Sequence, residues 1–302
     1  MHTSTSKAKL TFFALQAHKI IIYLSQIKQT IMRKTIYIII LAIAALGCSS
    51  ADAQAQTSKQ TGIVAHRGFW NCEEAGYAKN SIAALRCAQE AGFWGSEFDV
   101  NMTSDGILLV YHDSDVEGKK IEEHPYSEFK DFKIANGEVI PTIDMFLEQG
   151  KKYPETMLVY ELKPHSCEEV EARFVEIAIE NLKQHDLYDP ERVMFISFSL
   201  FICEKIAKEH PQFTVQFLGS SKNPQELHQL GINGVDYHHL VFSINKKWYK
   251  LARKNNMSVN AWTVNEKPAM KRMLKMGVNQ LTTDNPLEAR DLMQTMKVTE
   301  LK

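Results

Sequence analysis

The strongest constraint on the fold is a cadence. From Gly62 to Met296 short apolar runs alternate with longer amphipathic segments, about eight times over about 240 residues. The runs suit strands buried on both faces. Strands are expected at 62–68, 95–103, 107–113, 156–163, 192–198, 213–219, 234–240, 258–264 and 279–284. Helices are expected between them, at 80–91, 141–152, 168–185, 199–209, 224–230, 243–255 and 266–276, with a last one at 286–296. Within 168–185, Val170, Phe174, Ile177 and Leu182 recur at helical spacing. Ser104-Asp105-Gly106 is too short for a helical crossover, so its flanking strands form a hairpin-like pair or a continuation at the mouth. No Gly/Ser-rich or Pro-rich linker divides this stretch. The pattern predicts an α/β TIM (β/α)8 barrel, a single domain over 62–302. An open doubly wound sheet is the alternative, but no glycine-rich turn follows any strand.

The N-terminal part carries different information. Arg33-Lys34, the apolar run 36–46 and Gly47-Cys48 form an export signal, with Met32 as the natural start and 1–31 as an upstream extension. Ala45-Leu46-Gly47-Cys48 resembles a lipoprotein box, although Ala45 stands where leucine is usual. The signal is then 32–47, Cys48 carries the lipid, and 48–61 is a polar tether. Cleavage after Ala51-Asp52-Ala53 would instead leave a soluble periplasmic protein. An uncleaved anchor is disfavoured because the run is short for a span. Export permits disulfides, yet sequence cannot pair Cys72, Cys87, Cys167 and Cys203, and small buried side chains are an equal reading. The formal charge of −1 over 302 residues removes the electrostatic case for a nucleic-acid partner.

Polar groups gather at strand ends, where a barrel builds its site. Glu97 and Asp99 lie two apart on one strand, so they share a side while Phe98 takes the other. Paired carboxylates repel unless protonated or bound to a cation, and hard oxygens suit Ca²⁺ or Mg²⁺. A solvated strand face is the plainer reading of that pair alone. Glu161 and Lys163 share a side of another strand, as an ion pair or as a third ligand beside a phosphate clamp. His66 and His112 end two further strands and could serve as acid and base. Arg67 offers a fork of donors for phosphate, and Gly68 permits a sharp turn. Trp262 reads equally as an apolar wall or as core, and Phe69 and Trp70 as mouth residues. His238 and His239 lack a cysteine or acid in zinc spacing. Lys119-Lys120, Lys246-Lys247 and Lys271-Arg272 read as solvated faces.

Taken in order, His66-Arg67-Gly68, Asn80-Ser81, Glu97-x-Asp99-Val100, Thr103-x-Asp105-Gly106, His112-Asp113, Ile140-Pro141-Thr142 and Glu161-Leu162-Lys163 resemble the glycerophosphodiester phosphodiesterases. Ala261-Trp262-Thr263-Val264-Asn265 and Thr283-Asp284-Asn285-Pro286 fit the last two strands of that family. The resemblance runs from about Ile63 to Leu287. It implies a TIM barrel with one divalent cation on Glu97, Asp99 and Glu161. It further implies His66 and His112 as the acid–base pair, with Arg67 and Lys163 on the phosphate. The implied reaction is hydrolysis of a small-molecule glycerophosphodiester to glycerol 3-phosphate and an alcohol. Alternatives are a related phospholipase or lyase stopping at a cyclic phosphate, and an inactive binding barrel. Two departures stand out. Lys79 replaces the acid of the family's Glu-Asn-Thr, and the segment between Asp113 and Pro141 is shorter than the glycerol-pocket cap of many members, which predicts a more open mouth.

Overall fold

The structure, a computed structural model, describes residues 60–302. The expected upstream extension, signal, lipid-bearing Cys48 and nearly all of the tether lie outside these residues. Along the chain the elements are β1 (Gln60–Ala65), α1 (Ile82–Glu90), β2 (Gly95–Met102), β3 (Leu108–Val110), β4 (Asp115–Val116), β5 (Lys119–Lys120) and α2 (Ile143–Gly150). There follow β6 (Met157–Leu162), α3 (Glu168–Gln184), β7 (Val193–Ser197), α4 (Leu200–Glu209), β8 (Val215–Phe217), α5 (Pro224–Gln229) and β9 (Gly234–His238). The chain ends with α6 (His239–Ile244), α7 (Lys246–Lys254), β10 (Ser258–Trp262), α8 (Lys267–Met276), β11 (Gln280–Thr283), α9 (Pro286–Met296) and β12 (Thr299–Glu300).

Eight parallel strands close into a ring in the order β1, β2, β6, β7, β8, β9, β10, β11, and β1 pairs with both β2 and β11. This is the expected TIM barrel. β3 folds back antiparallel on β2, with Val100 opposite Val110, so the 103–107 turn makes a hairpin at the mouth. Side chains pointing out of the barrel meet the helices in one large core, in which Phe98, Tyr160, Phe174, Phe195 and Tyr237 are fully buried. A smaller cluster of Val64, Val159, Met194, Ile196 and Leu218 fills the barrel interior, with Trp94 packed against it. A Cβ on Gly62 would lie 2.6 Å from the Trp94 ring, so this interior packing requires glycine there.

Several boundaries differ from expectation, among them the ends of β1 at Ala65 and of β3 at Val110, so that His66 and His112 stand just beyond their strands. Gln60 and Thr61 belong to β1 rather than to the tether, because they pair with β12, a short strand the sequence did not announce. Thr61 is buried and donates to Val278 O at 2.9 Å. The strand expected over 234–240 stops at His238, and His239–Ile244 is helical. The run His239-Leu240-Val241-Phe242 has strand-like composition, which its position at the barrel rim overrides. The helix expected over 243–255 accordingly does not start at Ser243. The Ser243 hydroxyl donates to His239 O inside α6, and the next helix starts at Lys246.

Candidate active site

The carboxylates come together through strand geometry. On β2 the alternation turns Phe98 outward, its ring centroid 4.5 Å from Phe146 and 4.8 Å from Tyr160, and sends Glu97 and Asp99 inward. The β2–β6 register sets Asp99 directly opposite Glu161. One oxygen from each of Glu97, Asp99 and Glu161 falls within 4.8 Å of the others, and all three residues are buried. Burial, then the charges of Asp99 and Glu161, pushes the Glu97 carboxyl well above the usual range. Burial, then Asp99, moves Glu161 up to about 7 even with Lys163 beside it. Asp99 goes the other way: burial opposes its ionisation, but Lys163, Arg67 and an Asn80 hydrogen bond hold it low. Glu97 Oε1 is buried without a hydrogen-bond partner, and Glu161 Oε1 is met only by Lys163. Converging hard oxygens with orphaned lone pairs fit a divalent cation.

Cations border this cluster. Lys163 Nζ lies 2.8 Å from Glu161 Oε1 and 3.2 Å from Asp99 Oδ1. Arg67 Nε lies 3.3 Å from Asp99 Oδ2. Arg67 gets there by a left-handed backbone, φ 56°, followed by Gly68 at φ 77°. A Cβ on Gly68 would stand 2.7 Å from Ala84, so both the turn and the close approach demand glycine. The same turn aims the Arg67 backbone N–H at Glu97 Oε2, 2.7 Å away. Asn80, also left-handed at φ 59°, donates from Nδ2 to Asp99 Oδ2 at 2.9 Å and accepts the Asp99 N–H at 3.2 Å. Its place in the Asn80-Ser81 motif was legible, but this role was not.

Each histidine is backed by a carboxylate. His66 Nδ1 is 2.8 Å from Asp284 Oδ1, and His112 Nδ1 is 2.6 Å from Asp113 Oδ1. With the carboxylates as acceptors, Nδ1 of each ring carries the proton and Nε2 is the nitrogen left for substrate. Asp284 also accepts from Trp70 Nε1 at 3.0 Å and Asn265 Nδ2 at 2.6 Å. Against the burial that would raise it, these bonds and His66 keep its carboxyl low and ionised. Asp284 is thus a brace for His66 that motif reading alone left without a role. Replacing Asp284 by Asn should lower kcat on the order of 10²-fold by loosening that tautomer, with KM little changed, in steady-state kinetics.

The opposite wall of the cavity is apolar. Ile196, Phe198, Leu218 and Trp262 face the charged half across a cavity of about 430 Å³. Trp262 donates from Nε1 to Asp236 O at 2.8 Å and meets Phe198 edge-on at 5.5 Å. Phe198 and the buried Asp236 also line the cavity without having been anticipated from sequence. Phe69 is not a mouth residue: it packs into the core, 5.5 Å from the Phe93 ring. Trp70 is held on Asp284, and Lys79 stands over its ring at 4.5 Å, away from the cavity lining. The His238 and His239 rings lie 4.5 Å apart, and among the described residues the acidic trio is the one cluster able to hold a metal. Cys72, Cys87, Cys167 and Cys203 are all free thiols. Burial, then the neighbouring Cys72, pushes the Cys87 thiol up to about 12.

Comparison with known proteins agrees with the barrel and with the order of motifs. The model of the glycerophosphoryl diester phosphodiesterase family matches residues 66–288. The glycerophosphodiester phosphodiesterase of Caldanaerobacter subterraneus is 29% identical over 243 residues, 75% of this chain and 95% of that protein. A crystal structure of a glycerophosphodiester phosphodiesterase from Parabacteroides distasonis is 37% identical, covers 80% of this chain and 99% of its own, and superposes with a TM-score of 0.77. The fold is also that of an Oleispira antarctica phosphodiesterase solved with sn-glycerol-3-phosphate, at 24% identity, 78% of this chain, 97% of that chain and a TM-score of 0.68.

Proposed function

The chain belongs to the glycerophosphoryl diester phosphodiesterase family, and on that premise we propose how its residues hydrolyse a glycerophosphodiester to glycerol 3-phosphate and an alcohol. The observation that carries the reading is the buried carboxylate trio with an orphaned Glu97 oxygen, set between two cations and two carboxylate-backed histidines. Three carboxylates against Arg67 and Lys163 leave one net negative charge when all are ionised, which repels a phosphodiester. A divalent cation, Ca²⁺ or Mg²⁺, on Glu97, Asp99 and Glu161 would reverse that sign and polarise a phosphoryl oxygen.

The remaining roles belong to the chain's own groups. Arg67 and Lys163 hold the non-bridging phosphate oxygens. Burial, opposed by Asp99 and Asp113, lowers the His112 pKa, so the ring is neutral near pH 7 and suits the general base. It takes the proton of the neighbouring glycerol hydroxyl as that oxygen attacks phosphorus in line. His66, in the doubly protonated form that pairs with Asp284, gives its Nε2 proton to the departing alcohol. The cyclic phosphate is then opened by water with the two roles exchanged. Trp262 and Phe198 supply an apolar wall for the carbon skeleton.

The segment 114–140 buries Val116, Ile121, Phe129 and Ile140 against Leu109 of β3. It is moored where Glu138 accepts the Ile82 and Ala83 N–H groups, at 2.9 and 3.3 Å, at the start of α1. None of its residues lines the cavity, which supports an open mouth and tolerance of bulky alcohols. We also read the chain as exported and lipid-anchored through Cys48, on the strength of its N-terminal signal.

A panel of glycerophosphodiesters with small and large alcohols should release glycerol 3-phosphate in an enzyme-coupled assay. EDTA should abolish release, and Ca²⁺ or Mg²⁺ should restore it. Accumulation of cyclic phosphate alone would replace hydrolysis by a lyase reaction, and a strict preference for the smallest alcohol would overturn the open mouth.

A further inference from the structure

Exposed apolar side chains are spread unevenly over the barrel. Among the described residues eight large ones are exposed. Tyr77, Phe198, Leu240, Ile244 and Leu287 stand on segments that leave the C-terminal ends of β1, β7, β9 and β11, the end that holds the cavity. Leu230 caps α5 at the opposite end. Three of the five form a strip running outward from the cavity. Phe198 meets Trp262, and Trp262 meets His238 edge-on at 5.5 Å. His238 leads into α6, where Leu240 and Ile244 lie one turn apart on the outer side while Phe242 between them is buried. Ile244 is 78% exposed.

Lysines follow at once. Lys246, Lys247 and Lys250 in the first turns of α7 are exposed. Lys119, Lys120, Lys151 and Lys205 each hold a carboxylate, whereas these three have no carboxylate partner among the described residues. An apolar tip beside unpaired lysines is the chemistry of a segment that settles into the headgroup region of an anionic bilayer.

We propose that the catalytic face docks on an anionic phospholipid surface through Leu240, Ile244, Lys246 and Lys247. Leu240 and Ile244 enter the acyl boundary, and the lysines neutralise lipid phosphates. The cavity mouth then opens onto the surface from which lipid-derived phosphodiesters arise.

The barrel without its N-terminal segment serves for the test, since the Parabacteroides distasonis relative is folded with 99% of its chain matched to this region. Residues 58–302 would be floated with vesicles of phosphatidylcholine mixed with phosphatidylglycerol, and with phosphatidylcholine alone. Binding to the mixed vesicles is expected, weakening as salt rises, with little binding to the neutral ones. Replacing Lys246 and Lys247 by Glu should weaken it about 30-fold or more, and Leu240→Ser with Ile244→Ser by a similar factor. Circular dichroism and turnover of a small soluble glycerophosphodiester should stay unchanged in both variants. The vesicle readout needs no turnover, so it stands or falls apart from the catalytic assignment. Failure to bind the mixed vesicles, or binding undiminished in both variants, would overturn the proposal. So would a dimer in lipid-free solution that Leu240→Ser and Ile244→Ser dissolve, since a second copy would then cover this face.

Discussion

The Glu97→Gln variant should be nearly inactive and, free of metal, more stable than the parent. The two effects have one cause. Glu97 is 2% exposed, its Oε1 lacks a partner, and its carboxyl is pushed up by burial and then by Asp99 and Glu161. A neutral amide of the same shape keeps the Arg67 N–H bond and removes one member of the repelling trio. The metal-free gain should be on the order of 1–2 kcal/mol, the scale of an uncompensated buried polar group. Activity should fall on the order of 10³-fold, because the cation loses a charged ligand and the site keeps too little positive charge to hold a phosphodiester. Thermal denaturation with and without EDTA, beside the glycerol 3-phosphate assay, checks both. The sign of the pH effect follows from the same repulsion. Acids whose folded pKa is raised lose stability as pH rises from the ordinary glutamate range near 4, here up to about 7 for Glu161. The metal-free parent should therefore weaken across that window, and Glu97→Gln should weaken less. Equal Tm in parent and variant without metal would mean that the trio stores no such repulsion.

That trio also marks how far sequence alone could go. The spacing of Glu97 and Asp99 declares a shared side because strand alternation is local, and the same holds for Glu161 and Lys163. The pairing of Asp99 with Glu161 depends on the β2–β6 register, fixed by packing between segments about sixty residues apart. Long-range hydrogen bonds are equally silent in sequence. Asp284 braces His66 across 218 positions, and Asn80 clamps Asp99 through a left-handed backbone. His239 and Leu240 misled for a different reason. Their place at the end of an apolar run suited a strand, but at the rim of the closed barrel they open a short helix on which Leu240 and Ile244 are exposed. Local periodicity thus reported which faces exist, while closure of the ring decided what each face meets.

His66→Ala should separate substrates by their leaving groups. If His66 is the acid, its loss matters in proportion to how badly the departing oxygen needs a proton. An alkyl alcohol leaves as a strongly basic alkoxide without help, so turnover of glycerophosphoethanolamine should fall on the order of 10³–10⁴-fold. A nitrophenolate leaves unprotonated near neutral pH, so a glycerophospho-nitrophenyl ester should lose far less, by about tenfold. On the same assignment His112→Ala takes away the base, which both substrates need equally to free the attacking hydroxyl, so the two should fall together. The exchange of roles in the second step sharpens the contrast. His66→Ala should then open the cyclic intermediate slowly and accumulate it from the activated ester, detectable by phosphorus NMR. The geometry allows the opposite assignment only if His112, whose pKa burial lowers, were the proton donor at neutral pH. Equal losses on the two esters in His66→Ala, with unequal losses in His112→Ala, would reverse the assignment and make the Asp284-braced ring the base.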